Sequence, residues 1–147
     1  MQELKLALGA DHAGYKLKEL IVSYLKEKNY LIKDFGTNSE SSVDYPDFAH
    51  PVAQGVQDGN YNFGILICGS ANGINMTANK YRKIRSALCW KSEIAELARL
   101  HNDANILALP ARYISEEEAI KTVDVFLNTA FEGGRHQKRV EKINQLC

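Results

Sequence analysis

Short apolar runs alternate with longer stretches of helical periodicity along this chain, and this alternation constrains its fold more than any other feature. The apolar runs predict five strands, over residues 5–10, 30–36, 62–69, 84–90 and 104–110. Apolar residues at helical spacing predict helices over residues 14–29, 48–59, 74–82, 91–102, 115–131 and 135–146. Such alternation indicates an α/β protein in which helices cover both faces of one five-stranded parallel sheet.

Local signals indicate where some of these helices begin. Pro51 is compatible with a helix only in the first turn, so it is placed in the first turn of helix 48–59. Ser92 and Ser115 are predicted as N-caps of the two helices that follow, and the acidic residues after Ser115 suit a helix N-terminus.

The length and charge of the chain limit the classes of protein to which it belongs. Its 147 residues fit a single domain over residues 1–147. The 18 basic and 18 acidic side chains give a formal net charge of zero, which argues against a nucleic-acid partner bound over the whole surface. No apolar run approaches the roughly 18 residues of a membrane span. We therefore expect neither a nucleic-acid nor a membrane partner.

The cysteines and the N-terminal segment bear on the cellular compartment. Cys68, Cys89 and Cys147 are odd in number and far apart, so they predict neither a disulfide framework nor a CxxC metal site. The first apolar stretch is broken by Gly9 and Asp11, which makes it a poor signal peptide. A cytoplasmic location is expected, because cysteines stay reduced there.

Polar residues gather where the predicted sheet would bind a ligand. Open parallel sheets bind ligands beyond the carboxyl ends of the strands, at the point where the strand order reverses. With a strand order of 2-1-3-4-5, that point lies between the first and third strands. Asp11 and His12 follow the first strand, and Cys68, Gly69 and Ser70 lie at the end of the third. The sequence therefore predicts a site built from these two segments.

Cys68 has two interpretations at this point. A free cysteine most often fills a gap in the core. Cys68, however, ends its strand, and loop 69–73 follows it, where amides at a helix start lower a thiol pKa and stabilise an oxyanion. The loop lacks the Gly-Lys-Ser/Thr ending of a P-loop, and Ile74 stands where a cysteine phosphatase loop has arginine. Neither type of phosphate loop therefore explains the segment.

Basic residues in the second half of the chain are candidates for phosphate binding. Arg135 and Arg139 are four residues apart, which suits a phosphate but also an ordinary basic turn. Arg112 follows the fifth strand. His101 precedes that strand and is placed at the edge of the sheet opposite Cys68. It is either a histidine favoured by the helix dipole or a residue that serves a neighbouring subunit.

Segments in a fixed order resemble one family of sugar-phosphate enzymes. They read GADHAGYKLK, DYPDFA, GILICGSANGINMTANK, RSALC, LARLHNDANILALPAR and FEGGRHQKRV. Over residues 6 to about 140, the chain resembles the type B ribose-5-phosphate isomerases and the related galactose-6-phosphate isomerase subunits. The resemblance implies a Rossmann-like α/β/α sandwich and an aldose–ketose isomerase that uses no metal and no organic cofactor. It also implies a homodimer or tetramer with active sites shared between subunits, and a C-terminal helix that packs on the partner.

Matched by position, the resemblance implies roles for the residues that carry the chemistry. Cys68 would be the base that moves a proton between C1 and C2 of the sugar. Ser70 and the amides from Gly69 to Gly73 would hold the enediolate oxygen. Asp11, and His101 of a partner chain, would assist ring opening.

The resemblance also implies residues that bind the substrate without taking part in proton transfer. Tyr45 would line the sugar pocket, and Asn102 would lie near His101 of the partner. The residues at or near the phosphate would be His12, Arg112, Arg135, His136 and Arg139. Some of these residues would come from the partner chain.

The chain departs from the family pattern at few positions. Family members that lack the cysteine carry glutamate where Ile74 stands, so this chain resembles the cysteine type. Ala71 replaces a glycine that is common in the family, and Asn75 replaces a small polar residue. The preferred sugar stays open between a pentose 5-phosphate and a hexose 6-phosphate, with loop 36–47, Ala71 and Trp90 expected to decide the pocket length. A binding module for a small anion, without catalysis, is the other alternative.

Overall fold

The computed structural model describes residues 3–145, so Leu146, Cys147 and the expectations that fall on them lie outside the described residues. The strands are β1 (Lys5–Ala10), β2 (Leu31–Asp34), β3 (Phe63–Cys68), β4 (Ser86–Leu88) and β5 (Ile106–Pro110). The helices are α1 (Tyr15–Glu27), α2 (Pro46–Gln57), α3 (Asn72–Ala78), α4 (Ser92–Asn102), α5 (Glu116–Asn128) and α6 (Gln137–Lys142), with a 3-10 turn (Gly134–His136) before α6. None of these helices is long and apolar enough to cross a bilayer.

The strands form one parallel sheet in the order β2-β1-β3-β5-β4. The expected order had the fourth strand inside the sheet and the fifth at its edge, and this expectation is wrong. β5 is buried along its whole length, whereas all three residues of β4 are only partly buried. A strand that is apolar on both faces is stabilised best between two neighbours, so β5 takes the interior position and β4 the edge.

Helices cover both faces of the sheet, which confirms the three-layer α/β/α sandwich. In β3, Ile65 and Ile67 face a core that includes residues of α1, α4 and α5. Leu66 and Cys68 face the opposite core, which includes residues of α2 and α3. Because alternate residues of a strand point to opposite faces, β3 contributes to both cores and ends with Cys68 on the α2–α3 side.

Two of the three predicted helix starts need correction. α2 begins at Pro46, where a missing N–H costs no hydrogen bond, so Pro51 lies inside the helix and not in its first turn. Ser92 is the first residue of α4 and not its cap, and its N–H donates to Glu118 Oε1 at 2.8 Å. Ser115 is confirmed as the N-cap of α5, since its Oγ accepts from the N–H of Glu118 at 3.1 Å.

Lys18 is a buried cation that the sequence pattern did not single out. Its side chain is fully buried beneath α1, and its Nζ donates to Asp34 at 2.6 Å and to Glu19 at 2.7 Å. Asp34 also accepts from the N–H of Gly36 at 2.9 Å. The ion pair between Lys18 and Asp34 therefore connects α1 to the end of β2 and to the loop that leads to Tyr45.

We expect Lys18→Ala to lower the free energy of unfolding by about 2–5 kcal/mol, because it leaves a cavity and removes the cation between two carboxylates. Lys16→Ala is the matched control. Lys16 contacts Glu40 at 3.2 Å, but its side chain is 82% exposed, so its loss should cost less than about 1 kcal/mol. Urea denaturation followed by circular dichroism measures both values, and equal losses would contradict a structural role for Lys18.

Candidate active site

A cleft of about 380 Å³ opens at the carboxyl ends of β1, β3 and β5. Its lining consists of Asp11, His12, Ala13, Tyr45, Cys68, Gly69, Ser70, Gly73, Arg112 and Tyr113. The cleft lies at the predicted position beside the first and third strands, where strand order reverses. Eight of the predicted site residues meet here, in a volume that suits a small organic ligand.

Arg112 reaches the cleft because β5 lies beside β3. Cys68 pairs with Pro110 in the sheet, and the N–H of Arg112 donates to the carbonyl of Gly69 at 3.1 Å. The guanidinium packs over Gly69, where an added Cβ would lie 3.0 Å from its Nη1. Trp90, expected to influence the length of the pocket, follows the edge strand β4 and does not line the cleft.

The Cys68 thiol lies in the wall of the cleft and is only 5% exposed. Burial has the largest effect on its pKa and raises it, and the nearby Asp11 carboxylate raises it further. Hydrogen bonds from the backbone N–H groups of Ile74, Ala71 and Ser70 act in the opposite direction. The pKa of Cys68 is raised on balance. The amides at the helix start lower the pKa as expected, but desolvation of the thiolate outweighs them.

The turn between β3 and α3 carries these amides. Ala71 is fully buried and adopts a left-handed conformation, with φ 66° and ψ −5°. Glycine adopts this conformation without steric cost, which explains why glycine is expected at this position in related proteins. The turn reverses the chain directly after β3, so that N–H groups of residues 70, 71 and 74 reach the thiol.

Asp11 and His12 are held by backbone groups next to the cleft. Asp11 is buried, and its Oδ1 accepts from the N–H of Gly14 at 3.1 Å. Gly14 has no room for a side chain, because a Cβ there would lie 2.4 Å from the carbonyl oxygen of Ile67. His12 Nδ1 accepts from the N–H of Val43 at 3.2 Å, so the proton of the neutral ring is on Nε2.

Tyr45 and Ser70 each bring a hydroxyl group to the cleft. The Tyr45 ring packs directly on Gly73, where an added Cβ would lie 2.4 Å from Cζ. The Ser70 Oγ accepts from the Asn72 N–H at 3.3 Å and from the Asn72 side-chain amide at 3.2 Å. Because both contacts use Ser70 as an acceptor, its hydroxyl hydrogen is left to donate to a ligand oxygen.

Five predicted site residues lie outside the cleft of the single chain: His101, Asn102, Arg135, His136 and Arg139. α4 carries His101 and ends just before β5 begins, at the amino ends of the strands. Cys68 lies at the other end of β3, and the length of this six-residue strand is about 16 Å. The expected position of His101 at an edge of the sheet is therefore wrong. It lies at the opposite end of an interior strand.

His101 and His136 form a stacked pair beside Glu132. Their ring centroids are 4.2 Å apart at an interplanar angle of 15°. The Nε2 of each ring lies 4.0 Å from a carboxylate oxygen of Glu132. Burial, and then the neighbouring His101, lower the pKa of His136. The Arg139 Nη1 donates to the Arg135 carbonyl at 3.4 Å, so the Arg139 side chain folds back onto the 3-10 turn.

Comparison with known proteins decides the family. The model of the Ribose/Galactose Isomerase family matches residues 6–143. This chain belongs to that family. It is 44% identical over 142 residues to ribose-5-phosphate isomerase B of Escherichia coli strain K12, and the match covers 97% of this chain and 95% of that protein.

Solved structures of ribose/galactose isomerases share the fold. A ribose 5-phosphate isomerase RpiB from Thermotoga maritima matches with a TM-score of 0.96 at 48% identity, covering 99% of this chain and all of that one. Ribose-5-phosphate isomerase B from Mycoplasma genitalium, solved with bound ribulose-5-phosphate, matches with a TM-score of 0.94 at 41% identity, covering 99% of this chain and 97% of that one. The Rossmann-like fold and the aldose–ketose isomerase class are therefore established for this chain.

The structure adds residues of interest in this ribose/galactose isomerase that sequence reasoning missed. Ala13 and Tyr113 line the cleft next to predicted residues, and their position just after a strand was a signal that could have found them. Asn72 orients Ser70. Glu132 contacts both His136, four residues later in the sequence, and His101, which is distant from both. Only tertiary contacts bring His101 to the other two residues.

Proposed function

We propose that this chain is a single-domain enzyme that interconverts ribose 5-phosphate and ribulose 5-phosphate with its own side chains. The observation that carries the proposal is one cleft that contains the Cys68 thiol, the Asp11 carboxylate and the Arg112 guanidinium. The relative in Escherichia coli is named ribose-5-phosphate isomerase B, and the Mycoplasma structure contains ribulose-5-phosphate. These names support the choice of a pentose 5-phosphate.

Cys68 is the proposed base for proton transfer. Its thiolate takes the proton from C2 of the open-chain aldose, and the C2–H electrons form the C1–C2 double bond of an enediolate. The proton of the C2 hydroxyl moves to the oxygen on C1, and the Cys68 thiol then protonates C1 to give the ketose. A weakly acidic C–H needs a positioned base, and a raised pKa makes the Cys68 thiolate a stronger one.

The enediolate oxygen is the group that most needs stabilisation in this reaction. Ser70 has a hydroxyl hydrogen available, and the loop from Gly69 to Gly73 supplies backbone N–H groups next to it. Donors that are held in place before the charge develops need no reorganisation when it does. We assign this oxyanion role to the Ser70 hydroxyl and to the N–H groups of Gly69 and Gly73, because the loop amides between them already contact the Cys68 thiol or the Ser70 Oγ.

Ring opening needs a further acid or base, and phosphate binding needs more cationic side chains than one chain places in its cleft. Among the described residues that line it, Arg112 is the single arginine or lysine. Arg135 and Arg139 are exposed, and α6 has no buried residue. In a homodimer or tetramer, a second copy would place its 3-10 turn and α6 over the cleft. It would add two arginines for the phosphate, together with His101, Asn102 and His136 beside Asp11 and His12.

The substrate assignment is tested by comparing kcat/KM on ribose 5-phosphate and allose 6-phosphate. We expect a preference for the pentose of about tenfold or more, because the cleft must accommodate one additional CHOH unit to accept the hexose. The Cys68→Ala protein, purified in parallel, controls for contaminating host isomerase. A higher kcat/KM on the hexose would overturn the pentose assignment, and binding without turnover of either sugar would show a binding module.

The pH dependence of kcat/KM should report the Cys68 thiol. Since the active form is the thiolate and the pKa is raised, we expect kcat/KM to rise with pH and to level off above the ordinary thiol value of about 8.5. Asp11→Asn removes a nearby negative charge, so it should shift the midpoint to lower pH while reducing the maximum. Initial rates across a constant-ionic-strength buffer series measure both, and an unchanged midpoint in Asp11→Asn would contradict the coupling.

A further inference from the structure

Lys18 does not line the cleft, yet its contacts converge on the segment that carries Asp11. Its Nζ donates to Asp34 at 2.6 Å, and its backbone N–H donates to the Gly14 carbonyl at 2.9 Å. The N–H of Gly14 in turn donates to the Asp11 carboxylate. We propose that Lys18, together with Asp34, is a positioning residue that holds the Asp11 carboxylate in its place in the cleft. This inference rests on the function proposed for Asp11 in ring opening.

The ion pair between Lys18 and Asp34 fixes the turn that follows β2. The two oxygens of the Asp34 carboxylate have different partners, since Oδ2 accepts from Lys18 Nζ and Oδ1 accepts from the N–H of Gly36 at 2.9 Å. Gly36 has a φ of 100°, so the chain leaves the extended conformation there and regular strand pairing no longer sets its path. The Asp34 carboxylate, oriented by the Lys18 ammonium, therefore determines where Gly36 lies.

The turn after β2 holds the residue that immediately precedes Asp11. The Gly36 carbonyl accepts from the N–H of Ala10 at 2.8 Å, and the N–H of Thr37 donates to the Ala10 carbonyl at 2.8 Å. The regular pairing of β1 with β2 ends at Leu8, so these two bonds extend it to the last residue of β1. Because Asp11 follows Ala10 directly, a displacement of Gly36 is passed to the backbone of Asp11.

The two carboxylates that accept from Lys18 differ in what they transmit. The Lys18 side chain is fully buried and the Asp34 side chain is 29% exposed, so their charge-assisted hydrogen bond is protected from water. Glu19 accepts from the same ammonium at 2.7 Å, but its side chain is 50% exposed. Among residues 3–145, Glu19 makes no hydrogen bond to the turn after β2. Asp34 therefore connects Lys18 to the cleft, whereas Glu19 only adds negative charge beside the ammonium.

The position of Asp11 can be measured, because its carboxylate raises the pKa of the Cys68 thiol. The other titratable groups that line the cleft are His12, Tyr45, Arg112 and Tyr113. If Asp11 moves away from the thiol, the pKa of Cys68 falls. Loss of the Lys18 cation would act directly in the opposite direction, since removal of a positive charge raises a thiol pKa. The direction of the change therefore distinguishes a displaced Asp11 from a direct effect of the lost cation.

Lys18→Met and Asp34→Asn test the two partners of the ion pair. In both variants we expect kcat for isomerisation to fall by about tenfold to a hundredfold with little change in KM, because a small displacement of a catalytic group is costly although neither residue lines the cleft. The Cys68 pKa should fall in both. It is read from the pH dependence of iodoacetamide labelling, with mass spectrometry of the peptide that contains Cys68. Glu19→Gln removes the other carboxylate from the same ammonium and should leave kcat and the Cys68 pKa as in the wild type.

The same substitutions on the Asp11→Asn background show whether their effects pass through Asp11. We expect Lys18→Met to change kcat there by less than about twofold and to give no further fall in the Cys68 pKa, since the carboxylate that it positions is gone. A fall caused directly by the lost charge of Asp34 would persist on this background. Val22→Ala, at a buried apolar residue of the same helix, controls for loss of stability and should leave kcat within about twofold of the wild type. Asp34→Asn carries the test if Lys18→Met fails to fold.

Wild-type kcat in Lys18→Met, an unchanged or raised Cys68 pKa, or an equal loss of activity in Glu19→Gln would each overturn the positioning role. A full additional loss on the Asp11→Asn background would do so as well. Labelling of Cys68 requires no turnover, so the two proposals can fail separately. A Cys68 pKa that falls in Lys18→Met, in a protein without isomerase activity, would overturn the proposed function and support the positioning role. An active isomerase whose Lys18→Met variant matches the wild type would do the reverse.

Discussion

Cys68→Ala is expected to lower kcat for isomerisation by about 10²–10⁴-fold with little change in KM. The reason is that the thiolate acts on the C2 proton in the transition state, whereas sugar and phosphate contacts come from other residues. Exchange of the C2 hydrogen with solvent deuterium should fall in parallel, because it depends on the same proton abstraction. Stopped assays of ketose formation and nuclear magnetic resonance of the recovered aldose measure the two rates.

Cys89→Ala is the matched control for this substitution. Cys89 is fully buried and does not line the cleft, and its Sγ contacts the Ala87 carbonyl at 3.6 Å. The same atoms are removed, so we expect kcat within about twofold of the wild type and a small loss of stability. Exchange at the wild-type rate in Cys68→Ala would exclude Cys68 as the base. An equal loss of activity in Cys89→Ala would point to a folding effect instead.

Hybrid dimers of Cys68→Ala and His101→Ala chains are expected to recover about half of the activity of the wild-type dimer. Each parent dimer is inactive if every cleft needs Cys68 from one chain and His101 from the other. A hybrid then contains one cleft with both substitutions and one with neither. Co-expression with two affinity tags and sequential purification isolates the hybrid, and its kcat per dimer is the measurement.

A second hybrid, of Cys68→Ala with Asp11→Ala, controls for exchange of chains as such. Cys68 and Asp11 lie in the same cleft of one chain, so each of the two clefts in this hybrid lacks one of them. We expect it to remain as inactive as its parents. Activity in both hybrids, or in neither, would contradict a His101 that acts in the cleft of its partner.

Several features of the fold were predictable because their signals are local. Strand β1 was predicted at residues 5–10 and is found there, since its apolar run and the following Asp11 need no distant information. The cap at Ser115 was equally local, with hydroxyl and amide three residues apart. Ser92 failed as a cap because Glu118, distant in the sequence, supplies the hydrogen bond to its N–H.

In the candidate active site, too, some features were predictable from local sequence signals and others required the structure. Asp11, Cys68 and Arg112 were identified as strand-end residues, and the structure brings them into one cleft. The position of Arg112 beside Gly69 depends on β5 pairing with β3, which no local pattern reports. The direction of the Cys68 pKa shift also required the structure, because burial and the Asp11 carboxylate outweigh amides that the sequence did reveal.

By itself, the sequence determined the α/β class, the positions of the strands and helices within a few residues, and the segments that form the cleft. These follow from hydrophobic periodicity and from residues at strand ends, which are properties of neighbouring positions. Only the tertiary structure decided the strand order, the separation of His101 from Cys68 and the contact of His101 and His136 with Glu132. Each of these depends on contacts between residues far apart in the chain, where the free energy of burial, rather than local preference, selects the arrangement.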